Sequence, residues 1–135
     1  MKTYYSLESA KEALKTLSSD EKLTLKTAIN TAESLLELGM DYFYDEEPVE
    51  EDRQPIDIFN LFKKVNCLAS DPDDCLLNLE LMVACGGPNI WVKVDDGDNV
   101  TVQCYWGDQA EIRLGTTTKI TLEAIRELYS GLVDG

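Results

Sequence analysis

Cysteine and carboxylate side chains are the groups in this chain that could hold a metal ion or do catalysis. Four thiolates can bind a structural zinc ion without any histidine, but these cysteines are spaced C-x7-C-x9-C-x18-C and include no C-x-x-C pair. We therefore expect free thiols that behave as small buried apolar groups, and no metal. The alternative is a zinc site that uses all four cysteines: Cys67, Cys75, Cys85 and Cys104.

Sequence motifs for catalysis are missing from the chain. It contains no histidine, which excludes histidine acid–base catalysis and the Ser-His and Cys-His nucleophile pairs. Gly86 and Gly87 belong to neither a phosphate-binding loop nor a dinucleotide fingerprint. The acidic run 95–99 lacks the alternating ligands and the distal glutamate of an EF-hand. We expect no enzymatic activity; a small metal-dependent enzyme built on carboxylates and cysteines stays open as an alternative.

The excess of acidic residues is the most unusual property of the sequence. Twenty-six acidic residues and twelve basic residues give a formal net charge of −14. A net charge of about 2 to 8 in magnitude usually keeps a small domain soluble, so solubility does not account for this value. Such a surface repels nucleic acid and anionic lipid and attracts basic proteins. Lys63 and Lys64 are the nearest approach to a basic cluster, so we exclude direct nucleic-acid binding.

The densest acidic run is residues 41–55, the acidic segment, which holds seven carboxylates and one arginine. One interpretation is a solvated linker. The other is a decoy for a groove that normally holds nucleic acid, because duplex DNA carries a charge about every 1.7 Å. Six carboxylates of the acidic segment are candidate partner-binding residues: Asp45, Glu46, Glu47, Glu50, Glu51 and Asp52.

Residues 89–106 alternate with a period of two and predict a β-hairpin that turns at Asp96-Gly97. The acidic tip of this hairpin adds three candidate binding residues, Asp95, Asp96 and Asp98. Trp91 and Tyr105 lie on the face opposite the predicted core. They are either half covered by a helix or exposed anchors for a protein partner, since these residue types dominate interface hot spots. The predicted core-facing positions are Ile90, Val92, Val94, Val100, Val102, Cys104 and Trp106.

The elements around the hairpin complete an α+β domain. Ser6 is a predicted cap for the first helix, Ser18 with Glu21 fits a capping box for the second, and Gly39 is the predicted stop of the second. We predict helices over residues 7–17, 18–39, 58–65 and 71–85, a third strand over 110–114, and a last helix over about 119–130, capped by Thr118 or Thr121 and stopped by Gly131.

We therefore predict a single domain over residues 1–135. Its helical N-terminal half spans about residues 7–85 and contains the acidic segment, and its three-stranded antiparallel meander spans about 89–114. Helices should pack on one face of this meander.

The cellular location is predicted from the N-terminus and from hydropathy. The first fifteen residues contain no apolar signal-peptide core, and the least polar stretch, 75–87, is too short to cross a bilayer. We expect a cytoplasmic monomer without membrane contact, whose cysteines are reduced.

Two segments carry a resemblance to a known group of proteins: ACGGPNIWVKVDDG and, after it, VQCYWGD, followed by the acidic C-terminal helix. Over about residues 80–130 the chain resembles small acidic proteins of bacterial phages and integrative elements, some of which are anti-CRISPR proteins directed against Cas9. The marks of the resemblance are the Gly86-Gly87-Pro88 turn and Tyr105-Trp106-Gly107, and they identify no functional residues. The resemblance implies an inhibitor in the host bacterial cytoplasm that binds Cas9 and blocks guide or target-DNA engagement.

Two other functions remain as alternatives. An immunity protein that neutralises a basic nuclease toxin would also use an acidic surface and fast electrostatic association. A small metal-binding protein of a mobile element would use the cysteines. A neighbouring toxin gene would favour the immunity protein, and metal analysis would test the metal-binding protein.

Overall fold

The computed structural model describes residues 2–44, 54–58, 61–66 and 76–130. These residues form a mixed β-sheet with helices packed against it, which confirms the α+β class. The strands are β1 (Lys2–Tyr4), β2 (Leu61–Asn66), β3 (Leu76–Ala84), β4 (Asn89–Val94), β5 (Val100–Trp106) and β6 (Asp108–Gly115). Within the described ranges the sheet has the order β1-β6-β5-β4-β3-β2. β1 is parallel to β6, and the other neighbours are antiparallel.

The helices begin and end largely where the capping residues predict. The Ser6 hydroxyl accepts a 3.1 Å hydrogen bond from the Ser9 amide, and the Thr121 hydroxyl accepts one of 3.1 Å from the Ala124 amide. Gly39, at φ +57°, ends the long helix with the left-handed backbone that glycine tolerates. The helices are α1 (Leu7–Leu14), α2 (Ser19–Leu38), a 3₁₀ helix (Gly39–Phe43) and α3 (Leu122–Leu128).

Two details at the ends of α1 and α2 differ from the prediction. Helix α1 ends at Leu14 and does not reach Leu17. Ser18 precedes α2 as predicted, but its side chain makes no capping hydrogen bond. No capping hydrogen bond from Glu21 is found among the described residues, and its carboxylate lies 3.1 Å from the Lys2 ammonium at the edge of the sheet.

The core lies between one face of the sheet and the helices, with α2 over β5 and β6. The predicted inner positions of the hairpin are confirmed, with Ile90 at the limit of burial and Trp106 as the exception. Both layers contribute completely or almost completely buried side chains: Leu79, Leu81, Val92, Val94, Val100, Val102, Cys104 and Ile112 from the strands, and Leu25, Ala28, Ala32 and Leu35 from α2. Burial of this apolar surface is the main force that holds the layers together.

The predicted helices over residues 58–65 and 71–85 are wrong, because β2 and β3 occupy those parts of the chain that the structure describes. Leu79 and Leu81 face the helices, and Glu80 lies on the opposite face, so the period in β3 is two. The leucines and the methionine of β3 favour helices when considered alone. Pairing with a strand on each side overrides that local preference. Asp71, where the second of these helices was predicted to begin, lies outside the described residues, as does Gly131, the predicted stop of the last helix.

The three strands of the predicted meander are confirmed, but the sheet contains more strands than predicted. Strands β4, β5 and β6 pair antiparallel, and the β4–β5 turn contains Asp96 and Gly97 as predicted. The sheet continues beyond β4 into β3 and β2, and beyond β6 into β1. Strand β1 has three residues and a parallel partner more than a hundred residues away, so neither periodicity nor a local turn indicates it.

Candidate protein-interaction surface

Backbone contacts close the base of the acidic segment, on either side of its six candidate carboxylates. Tyr44 and Pro55 form an isolated antiparallel bridge, and the Ile56 amide donates a 2.9 Å hydrogen bond to the Phe43 carbonyl. The Tyr129 hydroxyl donates to the Ile56 carbonyl at 3.0 Å and ties this base to the end of α3. The two flanks of the segment therefore lie side by side. Its six candidate carboxylates lie outside the described residues: Asp45, Glu46, Glu47, Glu50, Glu51 and Asp52.

The hairpin tip holds two of its three candidate carboxylates in fixed positions. Asp95 Oδ1 accepts hydrogen bonds from the amides of Gly97 and Asn99, both at 2.9 Å. Asp98 Oδ1 accepts a 2.9 Å bond from the Leu122 amide, at the first turn of α3. Asp96 is exposed. Asp95 and Asp98 thus stabilise the turn and its contact with α3, and they still add negative charge to the tip.

The sheet face opposite the helices, the outer face, carries a network of polar side chains. The Gln103 amide donates a 2.7 Å hydrogen bond to Glu111 Oε1, and the Thr3 hydroxyl donates a 3.0 Å bond to Glu111 Oε2. The Tyr105 hydroxyl donates to Gln103 Oε1 at 3.2 Å, and Arg113 Nε lies 3.5 Å from Glu111 Oε2. Side chains of three strands are linked by this network: β1, β5 and β6.

Glu111 lies at the centre of this network and is 8% exposed. Burial by itself raises the pKa of its carboxyl group. The hydrogen bonds from Gln103 and Thr3 and the positive charges of Arg113 and Lys93 outweigh burial, so the pKa lies below its ordinary value of 4.5. Glu111 is therefore ionised at neutral pH.

A second buried carboxylate lies on the same face. Glu80 Oε1 is 2.8 Å from Lys93 Nζ, and the Glu80 side chain is only 8% exposed. These two residues are direct neighbours across β3 and β4. Trp91 and Tyr105, the predicted aromatic anchors, lie on this face and are half-buried. The described helices pack against the other face of the sheet, so they do not cover these two rings.

An exposed apolar corner, which the sequence analysis missed, lies where the start of α2 meets the β5–β6 turn. Trp106 was predicted to face the core, but it is 42% exposed. The chain reverses at Gly107, where Trp106 pairs with Asp108, so Trp106 is the last residue of β5 and extends past the buried part of the strand. Leu23, which is 47% exposed, lines the same cleft. The sequence feature that could have indicated this exposure is a tryptophan directly before a Gly-Asp turn.

The two described cysteines have different environments. Cys104 is completely buried in the apolar core, and burial raises the pKa of its thiol to about 11. Cys85 follows β3 and is exposed. Cys67 and Cys75 lie outside the described residues. Among the residues that the structure does describe, no group of three or more His, Cys, Asp or Glu side chains is arranged to hold a metal ion. The expectation of free thiols stays a prediction.

None of the described helices combines the length and the apolar character that a bilayer span requires. The function must be inferred from the charge and the surface described above, because no family model, curated protein or solved structure matches the chain.

Proposed function

We propose that this protein inhibits a basic, nucleic-acid-handling protein by binding it through an acidic surface, and that Cas9 is the first partner to test. The observation that carries this proposal is the way in which charges are paired. Against a net charge of −14, five described cations lie within salt-bridge distance of a glutamate of the same chain. The pairs are Lys2–Glu21, Lys11–Glu33, Lys15–Glu12, Lys93–Glu80 and Arg113–Glu111.

Internal pairing leaves the unpaired charge of the surface strongly negative. A nucleic acid would meet few cations that are free to bind it. A basic protein could bind the remaining carboxylates without first displacing a cation of the same chain. In the described part of the chain, the carboxylates outside any salt bridge are Glu8, Asp20, Glu37, Asp57, Asp95, Asp96, Asp98, Asp108, Glu123 and Glu127.

Ordered carboxylates suit this function better than a flexible acidic tail. At the hairpin tip, Asp95 and Asp98 are held by hydrogen bonds of 2.9 Å to backbone amides. A ligand whose charges are already in place loses less conformational freedom on binding. The acidic segment adds six further carboxylates between Tyr44 and Pro55, which form an antiparallel bridge.

The choice of Cas9 rests on the sequence resemblance, over about residues 80–130, to small acidic proteins of phages and integrative elements, some of which are anti-CRISPR proteins. Cas9 holds its heteroduplex in a positively charged channel and reads the adjacent DNA motif with arginines. An acidic protein in this channel would block guide or target-DNA engagement. Trp91 and Tyr105 on the outer face are candidate anchors in this complex, beside the carboxylates of the acidic segment and the hairpin tip.

The test is interferometry with immobilised Cas9 in three states: free, loaded with guide RNA, and bound to guide and target DNA. We expect binding to a state whose channel is open, loss of binding when target DNA is saturating, and slower association as salt rises. Stoichiometric inhibition of DNA cleavage should accompany binding. If no state of Cas9 is bound, Cas9 is not the partner, and basic nuclease toxins become the next proteins to test.

A further inference from the structure

We propose that the exposed corner at the start of α2 is an anchor for an arginine side chain of the basic protein partner. This inference rests on the proposed function and names a contact site within it. The Leu23–Trp106 cleft has a volume of about 410 Å³ and is lined by Asp20, Leu23, Trp106, Gly107 and Asp108.

The cleft is part of the rigid fold. Its two walls come from the first turns of α2 and from the β5–β6 turn, and the buried Thr24 joins them by donating a 3.1 Å hydrogen bond from its hydroxyl to the Trp106 carbonyl. Gly107 adopts φ +75°, a conformation that favours glycine, and so permits the tight reversal after Trp106. A partner would therefore meet a preformed site.

The walls of the cleft expose large apolar side chains that the core does not need. Leu23 is 47% exposed and Trp106 is 42% exposed. Exposed leucines and tryptophans that stand alone are unremarkable, but these two line one cleft. Tryptophan is among the residue types that contribute most to binding at protein interfaces.

The rim of the cleft is negative and available. Neither Asp20 nor Asp108 takes part in a salt bridge within the described chain. Lys2 is a described cation near this corner, with its ammonium 3.1 Å from the Glu21 carboxylate. The hydrogen bond to Glu21 and, among the smaller causes, the charge of Asp108 raise the pKa of the Lys2 ammonium. Lys2 therefore forms its salt bridge with Glu21 and attracts Asp108 only through space, so both aspartates can still accept hydrogen bonds from a cation of the partner.

An arginine side chain fits both the apolar walls and the negative rim of the cleft. Its guanidinium group is planar and stacks on the face of an indole while its N–H groups donate to carboxylates. Its aliphatic stem covers apolar surface, here that of Leu23. Lysine offers a point charge without the planar group, so arginine is the better fit.

The first experiment measures dissociation from Cas9 in the state that binds the wild-type protein. Trp106→Ala should raise the off-rate by about tenfold or more, as expected for a hot-spot residue, and Asp20→Asn with Asp108→Asn should raise it as well. The matched controls are Leu38→Ala, at another exposed leucine, and Glu12→Gln with Glu33→Gln, whose carboxylates form exposed salt bridges with lysines of α1 and its C-terminal end. Both controls should leave the off-rate unchanged. If wild type binds Cas9 and Trp106→Ala dissociates at the wild-type rate, the anchor is refuted and the proposed function stands.

A second experiment does not depend on Cas9. Trp91→Phe leaves Trp106 as the single tryptophan, so its fluorescence reports on the cleft during titration with the peptide acetyl-Gly-Arg-Gly amide. We expect a saturable change that is lost when citrulline replaces arginine and when Asp20 and Asp108 are both changed to Asn. A saturable change without Cas9 binding would support the cleft and refute Cas9 as partner. No change, or an equal change with citrulline, would refute an arginine site.

Discussion

The side-chain amide of Gln103 donates a 2.7 Å hydrogen bond to the carboxylate of Glu111, its direct neighbour across β5 and β6. Both residues are buried. A buried carboxylate destabilises a fold unless hydrogen bonds or a positive charge compensate it, and here Gln103, Thr3 and Arg113 do so. The outer face is therefore held by a specific polar network, and this network joins β1 to the rest of the sheet.

Glu111→Gln should lower the free energy of unfolding at neutral pH and lose this effect in acid. The folded-state pKa of Glu111 is depressed below 4.5, so the stabilisation by the carboxylate is present above the unfolded-state pKa and disappears as the pH falls through the folded-state pKa. Urea unfolding of both proteins at neutral pH and well below pH 4.5 measures the difference. Glu127→Gln, at an exposed position of α3, is the control. If Glu111→Gln lowers the free energy of unfolding by the same amount at every pH, the charge of Glu111 does not stabilise the fold.

The second buried carboxylate leads to a related prediction. Lys93→Met leaves Glu80, whose side chain is 8% exposed, without the ammonium that lies 2.8 Å away. Loss of one partner of a buried charged pair should lower the free energy of unfolding by about 1 to 3 kcal/mol. Adding Glu80→Gln should restore part of this loss, because a neutral amide then replaces a buried carboxylate that has lost the Lys93 ammonium. Lys26→Met, at an exposed position of α2, should change stability little, and an equally small effect of Lys93→Met would contradict the prediction.

The parts of the fold that local patterns specify were predictable. The β4–β5 hairpin was predicted because alternation over Asn89–Val94 and Val100–Trp106 brackets an Asp-Gly turn. Helix ends were predicted where Ser6, Thr121 and Gly39 each act within one turn. In all of these cases the signal and the structure lie within a few residues of each other.

The parts that depend on distant pairing were missed. Strand β3 contains good helix formers, and its two strand partners decide its conformation. Strand β1 needs β6, which lies at the other end of the chain. For the same reason the buried carboxylates of Glu80 and Glu111 could not be separated from surface acids, since their compensating partners lie on other strands. Trp106 was assigned to the core because alternation does not reveal where the helices stop covering a strand.

The cysteines should divide into one reactive and one protected thiol in a variant that carries Cys67→Ser and Cys75→Ser. Cys85 is exposed, and burial raises the pKa of Cys104 to about 11, so its thiolate is scarce at neutral pH. Iodoacetamide should modify Cys85 in the native protein and Cys104 only after denaturation, as peptide mass analysis would reveal. Rapid native modification of Cys104 would contradict its burial.

Metal analysis of the wild-type protein, purified without chelator, tests the same cysteines in another way. We expect no stoichiometric zinc. One zinc ion per chain that is lost on Cys67→Ser or Cys75→Ser would establish the zinc site as the correct alternative and would favour a metal-binding protein of a mobile element.

The acidic segment should contribute to binding and not to folding. A variant in which Asp45, Glu46, Glu47, Glu50, Glu51 and Asp52 become Asn or Gln should melt at the wild-type temperature or slightly above it, because repulsion within a chain of net charge −14 decreases. Thermal unfolding followed by circular dichroism measures this. Unfolding of the variant at ordinary temperature would mean that these carboxylates hold the fold together and are no decoy.

The same six-site variant should bind the partner more slowly. Charges around an interface steer the encounter of two proteins, and this steering is screened over about 8 Å at physiological ionic strength. The on-rate should therefore fall and depend less steeply on salt, while the off-rate stays nearly constant. The control carries the same change in net charge at six dispersed positions: Glu8, Glu33, Glu37, Asp57, Glu123 and Glu127. If the on-rate decreases equally in both variants, total charge steers the association and the acidic segment has no special part in it. A larger decrease of the on-rate in the variant of the acidic segment would place this segment at the basic groove.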